Sequence, residues 1–193
     1  KFGIDIPSYK IDWKKVINRS RDVAKRLNKG IEYLLNKNNI DYIPHYGKMV
    51  DKNTVLLDDN KKIKSKFTVI ATGGKSKQIP GIEFDSSSVI SSREAMNLSE
   101  IPKELIIVGA GAIGVEFASI YSSFGSKVTL IEVLDRVLPN EDLDISKELE
   151  KIFKRKKINN LTSSQVKKIT KSKKSTVYLN DDTSLKADKV LVA

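Results

Sequence analysis

The sequence predicts an α/β protein with a Rossmann-like dinucleotide-binding unit in its second half. Three observations predict it. A short, wholly apolar run, Leu105-Ile106-Ile107-Val108, is followed at once by a glycine-rich turn, Gly109-Ala110-Gly111-Ala112-Ile113-Gly114. A second apolar run, Val128-Thr129-Leu130-Ile131, then ends in an acid, Glu132, about 23 positions after the first glycine. A Gly-x-Gly-x-x-Gly match alone is weak, but strand, helix, strand and acid in this order form the context that a dinucleotide motif requires.

Taken from the N-terminus, Asp12 is placed to cap a long amphipathic helix. Trp13, Val16, Ile17, Ala24, Leu27, Ile31, Leu34 and Leu35 fall at helical spacing, and the helix should end near Asn38-Asn39. Four strand-like runs follow: Asp41-Tyr42-Ile43, Lys48-Met49-Val50, Thr54-Val55-Leu56-Leu57 and Phe67-Thr68-Val69-Ile70. Turn-forming clusters at residues 51–53 and 58–60 make these a small antiparallel meander leading into a buried strand. That strand stops at Ala71-Thr72-Gly73-Gly74. Pro80-Gly81 and three serines at 86–88 mark a loop, Ser92 is placed to cap a short helix, and Ile101-Pro102 reads as the linker to the second unit. There the apolar strand at 105–108 leads into a helix from about Ala112 to Phe124, closed by Gly125. After the second strand, a helix spans roughly residues 144–156, and further strands fall at 166–170, 176–179 and 190–192.

Composition narrows the chemistry. The 193 residues include no cysteine, which excludes disulfides, thiolate metal sites and thiol nucleophiles from this chain. The one histidine, His45, lies between strand runs and reads as a loop histidine; it argues against a His-based zinc site, and no metal site is expected. No apolar run approaches the roughly 18 residues needed to span a bilayer. The net charge of +11 raises the question of a nucleic-acid surface. Lysine, however, outnumbers arginine 29 to 6, and the lysines are spread along the chain without interleaved aromatic rings. The charge therefore reads as background on an ordinary fold, with no nucleic-acid partner expected. Lys1-Phe2-Gly3-Ile4-Asp5 shows no leader pattern. The lack of an initial Met, and an end at Ala193 directly after an apolar run, predict a piece of a longer protein.

In the glycine motif, Gly109 permits the tight turn, Gly111 lets backbone approach a pyrophosphate, and Gly114 lets helix pack on strand. The free amides and the positive end of the helix face the phosphates, and Ala110, Ala112 and Ile113 are assigned to the nucleotide with the three glycines. Glu132 can accept hydrogen bonds from the adenosine ribose and would repel a 2′-phosphate. Val133 and Leu134 supply no base in its place. NAD is therefore expected over NADP. Glu116, read as lying in the first turn of the helix, suits the dipole there or a contact to bound nucleotide.

The ordered series Val69-Ile70-Ala71-Thr72-Gly73, Ile79-Pro80-Gly81 and Ile107 through Glu116 resembles the flavoprotein disulfide reductases, most closely their dihydrolipoamide dehydrogenase group. Gly30-Ile31, the run 98–102 and Asp144-Ile145-Ser146-Lys147 support the resemblance, which covers nearly the whole chain. It implies that residues 1–100 are part of an FAD-binding domain and residues 101–193 most of an NAD-binding domain. Thr72, Gly73 and Gly74 would then lie along the flavin cofactor and Gly47 near the FAD adenine. Glu116 would reach the nicotinamide end of NAD, and Val166 would pack near its adenine. The group's upstream glycine motif, its Cys-x4-Cys pair and its C-terminal His-Glu pair have no counterpart here, so no catalytic residue is expected in this chain. The resemblance further implies a homodimer, service to a 2-oxo acid dehydrogenase complex through its lipoyl domain, and an organellar setting in mitochondria or plastids. Two alternatives stand beside it: another flavin disulfide reductase of the glutathione or mercuric type, and a non-catalytic dinucleotide-binding module.

Overall fold

The computed structural model describes Gly3, residues 5–76 and residues 78–193. Lys1, Phe2 and Ile4, on which the leader reading rests, lie outside the described residues, as does Lys77. In chain order the elements are α1 (Trp13–Lys37), β1 (Gly47–Asp51), β2 (Thr54–Leu57), β3 (Lys62–Lys64), β4 (Val89–Ile90), α2 (Ser92–Ala95), β5 (Glu104–Val108), α3 (Ala112–Ser123), β6 (Lys127–Ile131), α4 (Leu143–Arg155), β7 (Asn159–Leu161), β8 (Val166–Thr170), β9 (Ser175–Leu179), β10 (Ser184–Ala187) and β11 (Lys189–Val192). They form two units, Arg19–Lys75 and Lys1–Asn18 with Ser76–Ala193.

The larger unit is built on a five-stranded sheet in the order β4-β11-β5-β6-β7, with every neighbouring pair parallel. Strand alternation divides its side chains between two cores. Leu105 and Ile107 join Ala118, Tyr121, Val128, Leu130 and Phe153 on the face covered by helices. Ile106 and Val108 join Ile131, Val177, Leu179 and Val190 on the other face. The second face is covered by an antiparallel sheet, β10-β9-β8. Burial on both faces explains why the strand at 105–108 carries no polar alternation. Two of the strands the sequence missed belong to the parallel sheet: β4, of two residues, and β7, which is polar at Asn159 and Asn160. Residues 76–100, placed by the sequence with the first half, contribute β4 and α2 to this unit.

Local hydrogen bonds fix the loops and helix ends. The Ser91 side chain, rather than Ser92, caps α2, and Glu94 completes a reciprocal capping box. Burial raises the Tyr121 hydroxyl to about 12, and this neutral group donates to the Ala95 carbonyl at 2.6 Å. Trp13 donates its indole N–H to the Leu98 carbonyl at 2.7 Å and lies with its ring centroid 5.0 Å from that of Phe124. Asp85 organises the loop before β4: one carboxylate oxygen accepts from the N–H groups of Ser87, Ser88 and Val89 at 2.7–2.9 Å. Burial is the largest single influence on this carboxyl and pushes its pKa up. The three backbone donors and Lys171 together outweigh it and hold the group well below the ordinary value of 3.8. A depressed folded-state pKa contributes stability that is complete above 3.8 and is lost as pH falls below it. Asp85→Asn should therefore flatten the acid limb of the stability curve below about pH 4. Urea melts of both proteins from pH 2 to 6 check this; parallel acid limbs would contradict it.

In the smaller unit, β1, β2 and β3 form the expected antiparallel meander. His45 sits in its loop, Nδ1 2.6 Å from an Asp58 carboxylate oxygen, as a hydrogen-bonded loop histidine. Asp12 caps α1 through the Lys15 N–H, and Asn39 closes the helix with a positive φ of 53°. Two expectations fail here. Asp41-Tyr42-Ile43 forms no strand, and neither does Phe67-Thr68-Val69-Ile70. Rather than being buried, Phe67 and Val69 are 90% and 88% exposed. An apolar run becomes a buried strand only where neighbouring strands take its backbone hydrogen bonds, and no strand among the described residues pairs with either run. Likewise α1 has the predicted amphipathic spacing but no fully buried residue.

Candidate functional site

The sheet reverses its winding between β5 and β11, which lie side by side. Ligands of open parallel sheets bind outside the carboxyl ends of the strands at such a switch point. The glycine motif stands there. Gly109 has φ +104°, and a Cβ on it would stand 2.6 Å from the Ala193 carbonyl oxygen. Both the conformation and the crowding demand glycine. At Gly114 a Cβ would overlap the Gly109 carbonyl oxygen, so α3 can approach β5 only at a glycine. Gly111 is different, since its Cβ position opens into free space. It is the N-cap of α3 and gives no side-chain hydrogen bond, which leaves the first-turn amides uncommitted to any side chain.

Glu132 follows the last residue of β6 and is 8% exposed. One carboxylate oxygen accepts from the Ala110 N–H at 2.7 Å, and the other from the Leu134 N–H at 3.0 Å. A buried charge is tolerable when both oxygens are satisfied in this way. Each oxygen keeps a further lone pair, so the carboxylate is oriented and still able to accept from a ribose.

A cavity of about 300 Å³ lies at this edge and brings together Gly109, Glu132 and Val166. Ala110, assigned to the nucleotide by the motif, is fully buried and outside the lining, and its N–H is taken by Glu132, so that amide does not face a phosphate. Ala112 and Ile113 form the exposed start of α3. Glu116, expected in the first turn of the helix, lies beyond it. It is the fifth residue of α3, exposed and outside the cavity lining, and the first turn holds no acid. The reason is that α3 starts at Ala112 inside the glycine motif, so Gly114 is already its third residue.

Sequence reasoning missed the other lining residues, among them Gln78, Ile79, Pro80, Ser164 and Gln165. They come from two loops far from the motif, and no local spacing signals them.

The residues assigned to FAD lie in the smaller unit. Thr72, Gly73 and Gly74 are exposed and outside any strand, with Gly73 at φ +75°. Gly47 opens β1, is exposed, and could carry a Cβ only by displacing Val55 Cγ1, which lies 2.8 Å from that position. A Cβ there would crowd the Val55 side chain, whatever else this glycine contacts. The nucleotide cradle of the larger unit fits a dinucleotide, because it combines an open glycine, uncommitted helix amides and an oriented acid. Of the four FAD-assigned residues, only Gly73 has a backbone conformation that favours glycine.

The family model for pyridine nucleotide-disulphide oxidoreductases matches residues 5–193. Among curated relatives, the dihydrolipoyl dehydrogenase of Bacillus subtilis (strain 168) is 37% identical, over 98% of this chain and 41% of its own length. That of Acholeplasma laidlawii is 38% identical, over 94% of this chain and 55% of its own. Among solved structures, the HOCl-induced flavoprotein disulfide reductase RclA from Escherichia coli aligns with a TM-score of 0.74 at 29% identity, covering 95% of this chain and 42% of that one. LpdA from Mycobacterium tuberculosis shares the fold with a TM-score of 0.84 at 23% identity, over 97% of this chain and 43% of its own. The chain thus spans about two fifths to just over half the length of these relatives. It belongs to the pyridine nucleotide-disulphide oxidoreductase family.

Proposed function

We propose that this chain supplies the NAD site, and part of the FAD site, of a dihydrolipoyl dehydrogenase. The whole protein would oxidise dihydrolipoamide through a cysteine pair and FAD, with transfer of hydride to NAD+. The observation that carries this reading is the cavity at the switch point, which unites the motif glycine Gly109, the acid Glu132 and Val166. There Glu132 takes the adenosine ribose hydroxyls, while beyond the cavity lining Gly111 admits the close approach of the pyrophosphate and α3 directs its first-turn amides at it. The buried carboxylate repels a 2′-phosphate, so NAD is preferred to NADP. Thr72, Gly73, Gly74 and Gly47 would meet FAD once the rest of the family fold is present, and Glu116 would reach the nicotinamide end. The hydride chemistry belongs to the bound cofactors, and the chain holds and orients them. By the same reading the full protein is a homodimer, draws its substrate from the lipoyl domain of a 2-oxo acid dehydrogenase complex, and works in an organelle.

Calorimetric titration of the 193-residue chain with NAD and NADP tests the site. NAD should bind and NADP should bind more weakly; equal affinities would remove the role given to Glu132. The likeness to RclA favours a second reading, a flavin disulfide reductase with another substrate. Assays of the full-length protein with dihydrolipoamide and NAD+ against glutathione and NADPH separate the two.

A further inference from the structure

We propose that the turn at residues 79–82 is a built wall of the nucleotide cavity, and that Ile79 and Pro80 hold the adenine ring there. The inference rests on the NAD reading of that cavity and extends it to residues that neither the glycine motif nor the acid points to. The Ile82 N–H donates to the Ile79 carbonyl at 3.0 Å across Pro80 and Gly81, and Gly81 has φ +78°. This is a type II turn with proline and glycine in the positions that pre-set it. The turn is anchored on its far side. Ile82 is 3% exposed and packs in the core beneath β11 and β5. The loop beyond is braced by the three hydrogen bonds that Asp85 accepts. Ile79 and Pro80 are therefore presented rigidly to the cavity, which they share with Val166, Val133 and Glu132. Ile79 and Val166 rest against the same core cluster.

An adenine ring has flat apolar faces and an edge that both donates and accepts hydrogen bonds. The cavity matches this chemistry. Its walls include Ile79, Pro80 and Val166, while Gln78 and Gln165 bring amides able to donate and accept at once. At about 300 Å³ it lies at the small end of ligand pockets, which suits one nucleoside rather than a whole dinucleotide. The remainder of the dinucleotide would run from Glu132 along the open glycine to α3.

The test uses the 193-residue chain, with ADP-ribose as the probe that carries the adenine and nicotinamide mononucleotide as the one that lacks it. Ile79→Ala and Pro80→Ala are compared with the parent, and thermal melts without ligand report on folding. Each variant should weaken ADP-ribose binding about tenfold or more, the loss expected when two or three buried carbons are removed. Binding of nicotinamide mononucleotide should stay within twofold of the parent. Unchanged ADP-ribose affinity in both variants overturns the wall while leaving the NAD site standing. An equal loss for both probes also overturns it, because the effect would then be general. A parent chain that binds neither probe overturns the NAD reading itself, and this inference with it.

Discussion

Gly114→Ala should lower the melting temperature by about 5 °C or more and weaken NAD binding at least tenfold. Two effects compete. Alanine inside a helix gains up to about 1 kcal/mol over glycine. Against that, the new Cβ would overlap the Gly109 carbonyl oxygen, a backbone atom that cannot swing aside as a side chain can. Overpacking in a rigid setting costs about 1–3 kcal/mol and sometimes more, and backbone contact belongs at the upper end. Relief would require α3 to lift from β5. That would also move Gly111 and the first-turn amides, so stability and binding should fall together. Differential scanning calorimetry and NAD titration of the same preparation check the result. A variant as stable as the parent would show that α3 and β5 have room to spare.

Glu132→Ala should cost about 3 kcal/mol or more of stability in the absence of any nucleotide, which a residue that served only the ribose would not do. The carboxylate joins the glycine turn at Ala110 to the loop at Leu134, and hydrogen bonds to a charged acceptor contribute roughly 1.5–3 kcal/mol each. NAD binding should weaken by a further 1–3 kcal/mol or so, through lost ribose contacts and a looser turn. Glu132→Gln makes a sharper test. The amide has nearly the same shape but a single acceptor oxygen. It can keep the bond to Ala110 or to Leu134, and it turns an NH2 group toward the other N–H. Glutamine should therefore be nearly as destabilising as alanine in urea melts without ligand. Full stability in the glutamine variant would rule out the two-sided anchoring.

The larger unit was legible because its signals are local. The strand at 105–108, the three motif glycines and Glu132 lie within 28 consecutive residues, and each requirement is met by a neighbour in sequence. The antiparallel cover of the sheet was only half legible. β8 and β9 carry apolar and β-branched residues, whereas β10 is Ser184-Leu185-Lys186-Ala187 and earns its place by pairing with β9. The sequence shows Ile79 and Pro80 as part of a family motif without a role, because the cavity residues they meet are scattered from Val108 to Ala193. In the smaller unit the error ran the other way. Phe67, Val69 and Ile70 have the composition of a buried strand, but burial needs neighbours, and composition cannot say whether the chain supplies them.

Trp13 has an optical consequence. It is the sole tryptophan, and its contacts with Leu98, Tyr121 and Phe124 all lie within the unit that carries the glycine motif. Intrinsic fluorescence excited at the indole band therefore watches that unit alone, while far-ultraviolet dichroism sums the helices and strands of both. Overlaid melts from the two signals measure directly whether the units lose structure as one cooperative body or in succession. The sequence thus carries its own single-site probe of the nucleotide-binding half.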